Sequence, residues 1–456
     1  MKKFLSMILM SAMILSMLSG CGSKSKVDTQ DNTANSTKES DTQSQVSGYD
    51  PNKEYTLTYW HFDASDNIVT ALEGIIADFK VKYPNITVDY LALPTDSFYQ
   101  KYLLAVATNT APDIFGTRDI ELLDLVNQDA IIPLDDYIKD WDQKDNIMDS
   151  IWQTATSNMP DGKTYIIPSY MNIGCSWYNT KMMDEKNIQI PKTIDEFLED
   201  CEKYANPANN QYFYSLRGGT ASYDNLFIFL MSYAGGTGFF NADGTCVLSE
   251  DIYAEALDKY AEIYKNGWTS KDSVTNGYKE IVSEFGSGIS MSLTHNSSSV
   301  TTHKDNLGDG NFVNAIPPAG KSGKTSMPSP SIMGSSVTSQ SKNPEVAALF
   351  CEFLAEHEEA SKYCLEAGKT PVNRLVYEDD WCKNDKYLPL YSQMLEDENI
   401  TWYSNPIWLS NWNILITEDV LANFQAVLMG EMTSKDALAN WADQLTGTQQ
   451  KYLSEK

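Results

Sequence analysis

Tyr55-Thr-Leu-Thr-Tyr-Trp60, Ile86-Thr-Val-Asp-Tyr-Leu91 and Ala111-Pro-Asp-Ile-Phe115 decide the fold. The first two segments alternate along a period of two, and the third is a short apolar run, so all three read as strands. After the loop from His61 to Asn67, Ile68, Leu72, Ile75, Ile76 and Phe79 recur at helical spacing until Pro84 stops the helix. Phe98, Tyr102, Ala105 and Val106 repeat the pattern before the third strand. A βαβαβ order implies a parallel sheet with right-handed crossovers. Ligands of open parallel sheets sit at the carboxyl ends of the strands. Loops 60–66 and 116–119 are therefore expected to face one crevice.

Farther along, Thr193-Ile-Asp-Glu196 is a capping box heading a helix with the apolar face Ile194, Phe197, Leu198, Cys201 and Tyr204. Asn343-Pro344-Glu345 starts another, with Asn as cap and Pro at the first helical position. No internal repeat of 20–50 residues appears, which argues against a solenoid or propeller.

The chain of 456 residues is long enough for two or three packed domains. Its 34 basic and 62 acidic residues give a net charge of −28, which argues against nucleic acid as partner, since phosphate binding needs clustered Lys and Arg. Arg118, Arg217 and Arg374 are the only arginines. The 26 Tyr and 10 Trp outnumber the 16 Phe, and such rings, flat and apolar with a polar edge, suit a wet, sugar-like or peptide-like ligand.

Lys2 and Lys3 precede an uncharged run from Phe4 to Leu18, and Leu18-Ser-Gly-Cys21 follows. A basic start, a short apolar stretch and small residues before a cut form a secretory signal. No later segment is long and apolar enough to span a membrane. The tetrapeptide resembles a bacterial lipoprotein box, which implies cleavage after residue 20 and a lipid anchor on Cys21. From Gly22 to about Gly48 the chain is nearly all Ser, Thr, Asn, Gln, Asp and Lys, which reads as a flexible tether over 21–50. Six cysteines remain, at 175, 201, 246, 351, 364 and 382, with no C-x-x-C and no His at metal-ligand spacing. Buried free thiols are expected; disulfides stay open as the alternative for a secreted chain.

With these elements placed, the chain resembles the extracellular solute-binding proteins of ABC importers, the sugar-binding family that includes maltose-binding protein. The resemblance rests on seven stretches in the family's order: 79–88, 111–113, 161–168, 177–180, 191–197, 285–291 and 341–347. It implies a two-lobed, type II periplasmic-binding-protein-like α/β fold, each lobe a sheet flanked by helices. Lobe one is expected over 50–172 and 331–400, lobe two over 173–330 and 400–452, with hinges near Met171–Gly174 and Ser329–Gly334. The implied function is a lipoprotein that binds a saccharide between the lobes and delivers it, as a monomer without cofactor, to the permease subunits of an ABC importer. Hinge closure would be driven by ligand contacts to both lobes.

Aromatic faces pack on sugar C–H faces while Asp, Asn and Arg bond the hydroxyls, so a site needs both kinds converging. Trp60, His61, Phe62 and Asp63 supply that mixture in the first crevice loop, although Trp60 also reads as the buried end of its strand. Arg118 and Asp119 stand where the family presents a hydroxyl-binding pair; an exposed ion pair is the alternative. Tyr170 and Asn172 match the family's entry into lobe two. Tyr223 and Asn225, around Asp224, match a position where an acid or aromatic contacts sugar. His295 and Asn296 stand where the family often has an aromatic platform, a departure that puts such a platform in doubt. Trp402 and Trp408 are the C-terminal aromatic candidates, while Trp177, Tyr178 and Asn179 read as structural and His303 and His357 as solvated.

Catalytic patterns are poorly represented. Gly-Lys-Thr occurs at 162, 323 and 368 without the earlier glycine of a phosphate loop. There is no G-x-S-x-G and no H-E-x-x-H. No metal site is expected. A surface polysaccharide hydrolase or lyase, whose paired carboxylates are invisible in sequence, remains the runner-up, with a carbohydrate adhesin third.

Overall fold

The computed structural model describes residues 48–455 apart from Asp96, Asn158 and Pro160. The leader, Cys21 and most of the tether lie outside the described residues. Strands β1 (Tyr55–His61), β2 (Ile86–Ala92) and β3 (Ile114–Arg118) are parallel, with β1 central, as the βαβαβ pattern predicts. Helix Asp66–Lys82 joins β1 to β2, with Asp66 in its first turn and Lys80 and Lys82 in its last, complementing the helix dipole. Helix Phe98–Ala107 joins β2 to β3.

The third strand begins three residues later than the sequence suggests. The Asp113 carboxylate is the reason: it accepts from the Thr58 amide (2.9 Å) and hydroxyl (2.9 Å), so a side chain replaces the ladder where backbone pairing was expected. Arg118 thereby becomes the last strand residue, and helix Asp119–Asn127 starts immediately after it.

From lobe one the chain crosses through β4 (Ile167–Asn172) into β5 (Gly174–Asn179). There β6 (Tyr212–Tyr214), β7 (Ser290–Asn296) and β8 (Phe312–Ala315) complete a four-stranded sheet of order β6-β7-β5-β8. The chain crosses back through β9 (Thr325–Pro328) and β10 (Ser331–Val337). With β11 (Thr370–Pro371), the first sheet has the order β11-β4-β10-β3-β1-β2; β12 (Ile400–Tyr403) pairs only with β9. Two cores form, the first continuing past the crossing strands onto one face of the second sheet at Trp177, Leu293 and Phe312. Leu57, Ile75, Phe79 and Phe350 fill the first. Phe213, Leu230, Tyr260, Phe424 and Trp441 fill the second. Each such fully buried ring contributes about 2–3 kcal/mol of transfer free energy.

Three expectations need correction. Helix Leu388–Glu396, expected with lobe one, lies on the second sheet: the Tyr387 ring stacks on Phe312 at 4.8 Å, and Tyr391 Oη is 3.7 Å from Cys175 Sγ. The apolar face carrying Trp177, Leu293 and Phe312 needs a cover, and these tyrosines supply it. Asn343 makes no cap bond to the helix that starts at Pro344; its Oδ1 accepts from Lys53 Nζ at 3.3 Å instead. His303 is not solvated. It is fully buried among Trp177, Phe285 and Phe312, ring centroids 4.8–5.6 Å away, with neither nitrogen hydrogen-bonded. His357 is half-buried, with Nε2 2.9 Å from Asp379. The Thr193 capping box is present in both directions, at 3.2 and 3.1 Å. All six described cysteines are buried and free.

Candidate functional site

Because β1 and β3 are parallel, their carboxyl ends deliver two loops to one edge of lobe one. Gly116 makes this possible: a Cβ there would come within 2.7 Å of the His61 ring. Trp60 is half-buried, leaning on Tyr102 and Phe115 at 6.4 and 6.5 Å. His61 stacks on Phe62 at 4.4 Å, and burial pushes its pKa down to about 4, so the imidazole is neutral at pH 7. Asp63 accepts from the Ser65 amide (2.9 Å) and hydroxyl (2.6 Å). Burial opposes its ionisation, but these bonds and the nearby Lys369 outweigh it and hold the carboxyl below its usual range.

Arg118 pairs with Glu121, not with Asp119. Its Nε lies 3.0 and 3.1 Å from the two carboxylate oxygens, and the guanidinium sits 5.0 Å from the Phe98 ring and 5.8 Å from Phe62. Asp119 turns instead to the crossing strand, accepting from Ser331 Oγ at 2.8 Å; burial pushes its pKa up to about 6. Tyr170 is buried against Tyr363, with Lys369 Nζ over its ring at 5.3 Å. Asn172 ends β4 in register with Ser331.

Lobe two presents a second group. Tyr223 and Asp224 open helix Tyr223–Ala234, and Arg217 Nη1 lies 3.7 Å from Asp224. Asp224 exposes 48% of its side chain, yet desolvation raises its pKa to about 6 against the pull of Arg217. His295 packs on Tyr278 at 4.6 Å with Nδ1 unpartnered; burial, assisted by Arg217, lowers its pKa to about 3. Trp402 is half-buried on β12, in register with Met327 of the crossing strand β9.

Other candidates are engaged within lobe two. Asn225 is buried beside Tyr214, Ser232 and Thr294 in a small internal crevice. Asn296 Oδ1 caps the turn that follows, accepting from Ser298 N (3.0 Å) and Oγ (2.6 Å). Trp408 Nε1 donates to Gln449 at 2.9 Å and the ring packs near Phe240, while Trp412 is core. Sequence reasoning missed Lys369 and Arg217. Both sit on loops with no periodic signal, and only tertiary packing brings them to Tyr170 and Asp224. A cavity of about 610 Å³ between Lys82, Glu356 and Glu359 lies at the far end of helix Asp66–Lys82 from these loops and is separate from this site.

Among the described residues no group of His, Cys, Asp and Glu is placed to hold a metal ion, and no helix is long and apolar enough to cross a membrane. The model of the family described as bacterial extracellular solute-binding protein matches residues 65–361, well over half the chain, and the chain belongs to that family. A binding protein of Brucella abortus (strain 2308) is 28% identical over 333 residues, covering 71% of this chain and 78% of the relative. The maltotriose-binding protein of Pyrococcus abyssi is 23% identical over 344 residues, covering 75% and 71%. In structure, the sugar-binding protein MalE of Xanthomonas citri superposes with a TM-score of 0.73 at 18% identity, covering 88% of this chain and 99% of that one. The GacH receptor of Streptomyces glaucescens, solved unliganded and with acarbose, gives 0.71 at 18% identity, covering 87% and 99%. The two-lobed type II fold that the sequence resemblance implies is therefore the fold of this chain.

Proposed function

We propose that this protein is the substrate-binding lipoprotein of an ABC importer, tethered through Cys21 to the outer face of the cell membrane. It captures a saccharide between its lobes, without chemical change, and passes it as a monomer to the permease subunits. Family membership supports the binding role, and the names of relatives that bind maltotriose, acarbose or α-D-tagatose support a sugar as the cargo. The observation that supports the reading is that each lobe groups rings with charged hydroxyl partners. Lobe one offers Trp60, Asp63, Arg118, Tyr170, Asn172 and Lys369. Lobe two offers Tyr223, Asp224, Arg217 and His295, and Trp402 stands beside the crossing strands. Each cation has a carboxylate near it: Arg118 with Glu121, Arg217 with Asp224, Lys369 with Asp63. Such charge-balanced donor and acceptor pairs suit a neutral polyol.

The test is a panel of mono- and oligosaccharides screened by thermal unfolding of the mature chain. A ligand at a hundredfold excess over Kd should add about 2.7 kcal/mol, with the sugar recovered intact. New reducing ends after incubation would instead make the protein a hydrolase. Stabilisation by none of the panel would remove saccharides as the cargo.

A further inference from the structure

The two strands that connect the lobes break side by side. On the outward crossing, β4 ends at Asn172 and β5 starts at Gly174, leaving Ile173 between them. On the return, β9 ends at Pro328 and β10 starts at Ser331, leaving Ser329 and Pro330. Ser331 and Asn172 are register partners, so both breaks begin at one level of the first sheet. Rotation of lobe two about lobe one bends the backbone at these few residues and in the third passage, between Pro371 and Leu388.

Asp119 sits on the lobe-one side of this line. It is the first residue of its helix, directly after Arg118, which pairs with Met333 of β10. Its carboxylate accepts from the Ser331 hydroxyl at 2.8 Å and from the Ile120 amide at 3.0 Å, both on Oδ1. The oxygen that faces the crossing strand is thereby engaged by two protein donors, one from β10 and one from the helix start.

We infer that Asp119 is a hinge latch, a positioning residue that ties the crevice loop at Arg118 to the crossing strand and fixes where that strand becomes free to bend. The inference rests on the two-lobed clamp reading. It assigns Asp119 a role in ligand affinity that acts through Ser331 rather than by contact. With the latch closed, bending of the return crossing is confined to Ser329 and Pro330. With it removed, the start of β10 frays towards Gly334 and the set of inter-lobe angles widens. Hydrogen bonds to a charged group are strong enough to hold such a strand end.

The experiment needs no sugar, so it can fail independently of the saccharide panel. Hydrogen exchange of the amides at 331–334 is measured in the mature protein and in Ser331→Ala, Asp119→Ala and the double variant. Inter-lobe distances are measured in parallel between labels at the exposed Lys80 and Lys265. Each single variant should speed exchange about tenfold and broaden the distance distribution, and the double variant should go no further than either single. Asp119→Asn, which keeps an acceptor oxygen, should recover most of the protection. If Asp119→Ala does not fold, Ser331→Ala and Asp119→Asn carry the same comparison. Unchanged exchange, effects that multiply in the double variant, or a distance distribution that stays narrow would each overturn the latch.

Discussion

His303 carries the clearest consequence at the scale of a single residue. Its imidazole is enclosed by Trp177, Phe285 and Phe312, both nitrogens are unpaired, and burial lowers its pKa to about 3. A base whose folded pKa lies below its unfolded value of about 6.5 binds fewer protons in the native state. Its contribution to stability is present above about pH 6.5 and is lost as pH falls towards the folded value. Between pH 6.5 and pH 5 the loss from this one residue is about 2 kcal/mol. His303→Phe, which fills the same aromatic cage without a titrating group, should shrink the stability difference between pH 7 and pH 5 by about that amount. Urea unfolding at the two pH values checks it, and an unchanged difference would mean that the imidazole is not desolvated in solution. The sequence hid this position because Thr301-Thr-His-Lys-Asp-Asn306 is polar throughout, and only the fold aims one of those side chains inward.

Among the elements, β1, β2 and the helices between them were legible because their periodicity is local. The positions of the crevice loops followed from the same pattern by the strand-end rule. The start of β3 was not legible, because the Asp113 carboxylate, and not backbone pairing, fixes Thr58. The cover over the second sheet was equally invisible: Tyr387 and Tyr391 reach Trp177 and Cys175 across more than 200 residues, and no spacing rule records such a contact. Of the candidate site, the loop Trp60–Asp63 was named from its mixture of rings and a carboxylate, whereas Lys369 and Arg217, which pack near Tyr170 and Asp224, carry no such pattern. The element most exposed to a single change is β10. At Met333/Gly334 its register with β4 shifts, and a Cβ at Gly334 would meet the Ile167 carbonyl oxygen at 2.0 Å. That atom is backbone held in a sheet and cannot move aside cheaply. Gly334→Ala should therefore cost about 2–4 kcal/mol of stability and loosen the crossing strands. A denaturation midpoint equal to that of the parent would show that the bulge absorbs the extra atom.

For the whole molecule, the pH response combines groups of opposite sign. Glu352 and Glu359 are buried in the acid-rich corner of lobe one near Glu356, and Glu359 Oε2 has no hydrogen-bond partner. Burial first, then the neighbouring carboxylates, pushes Glu352 up to about 8; burial pushes Glu359 to about 7. An acid whose folded pKa is raised contributes stability that is full below its unfolded value and lost as pH rises through the folded one. The alkaline limb therefore belongs to these glutamates, reinforced by the self-repulsion of a chain with a net charge of −28. The acid limb belongs to the buried histidines 61, 295 and 303. Glu352→Gln should raise stability at pH 8 by about 2–4 kcal/mol and leave it nearly unchanged at pH 5. Glu352 lies on the helix that starts at Pro344 and His303 against the second sheet, with no shared partner, so the two substitutions should add. In the double variant His303→Phe, Glu352→Gln, the dome of stability against pH should flatten from both sides. A Glu352→Gln gain that is equal at pH 5 and pH 8 would place the effect in packing, and the carboxyl would then not be the group that sets the alkaline limb.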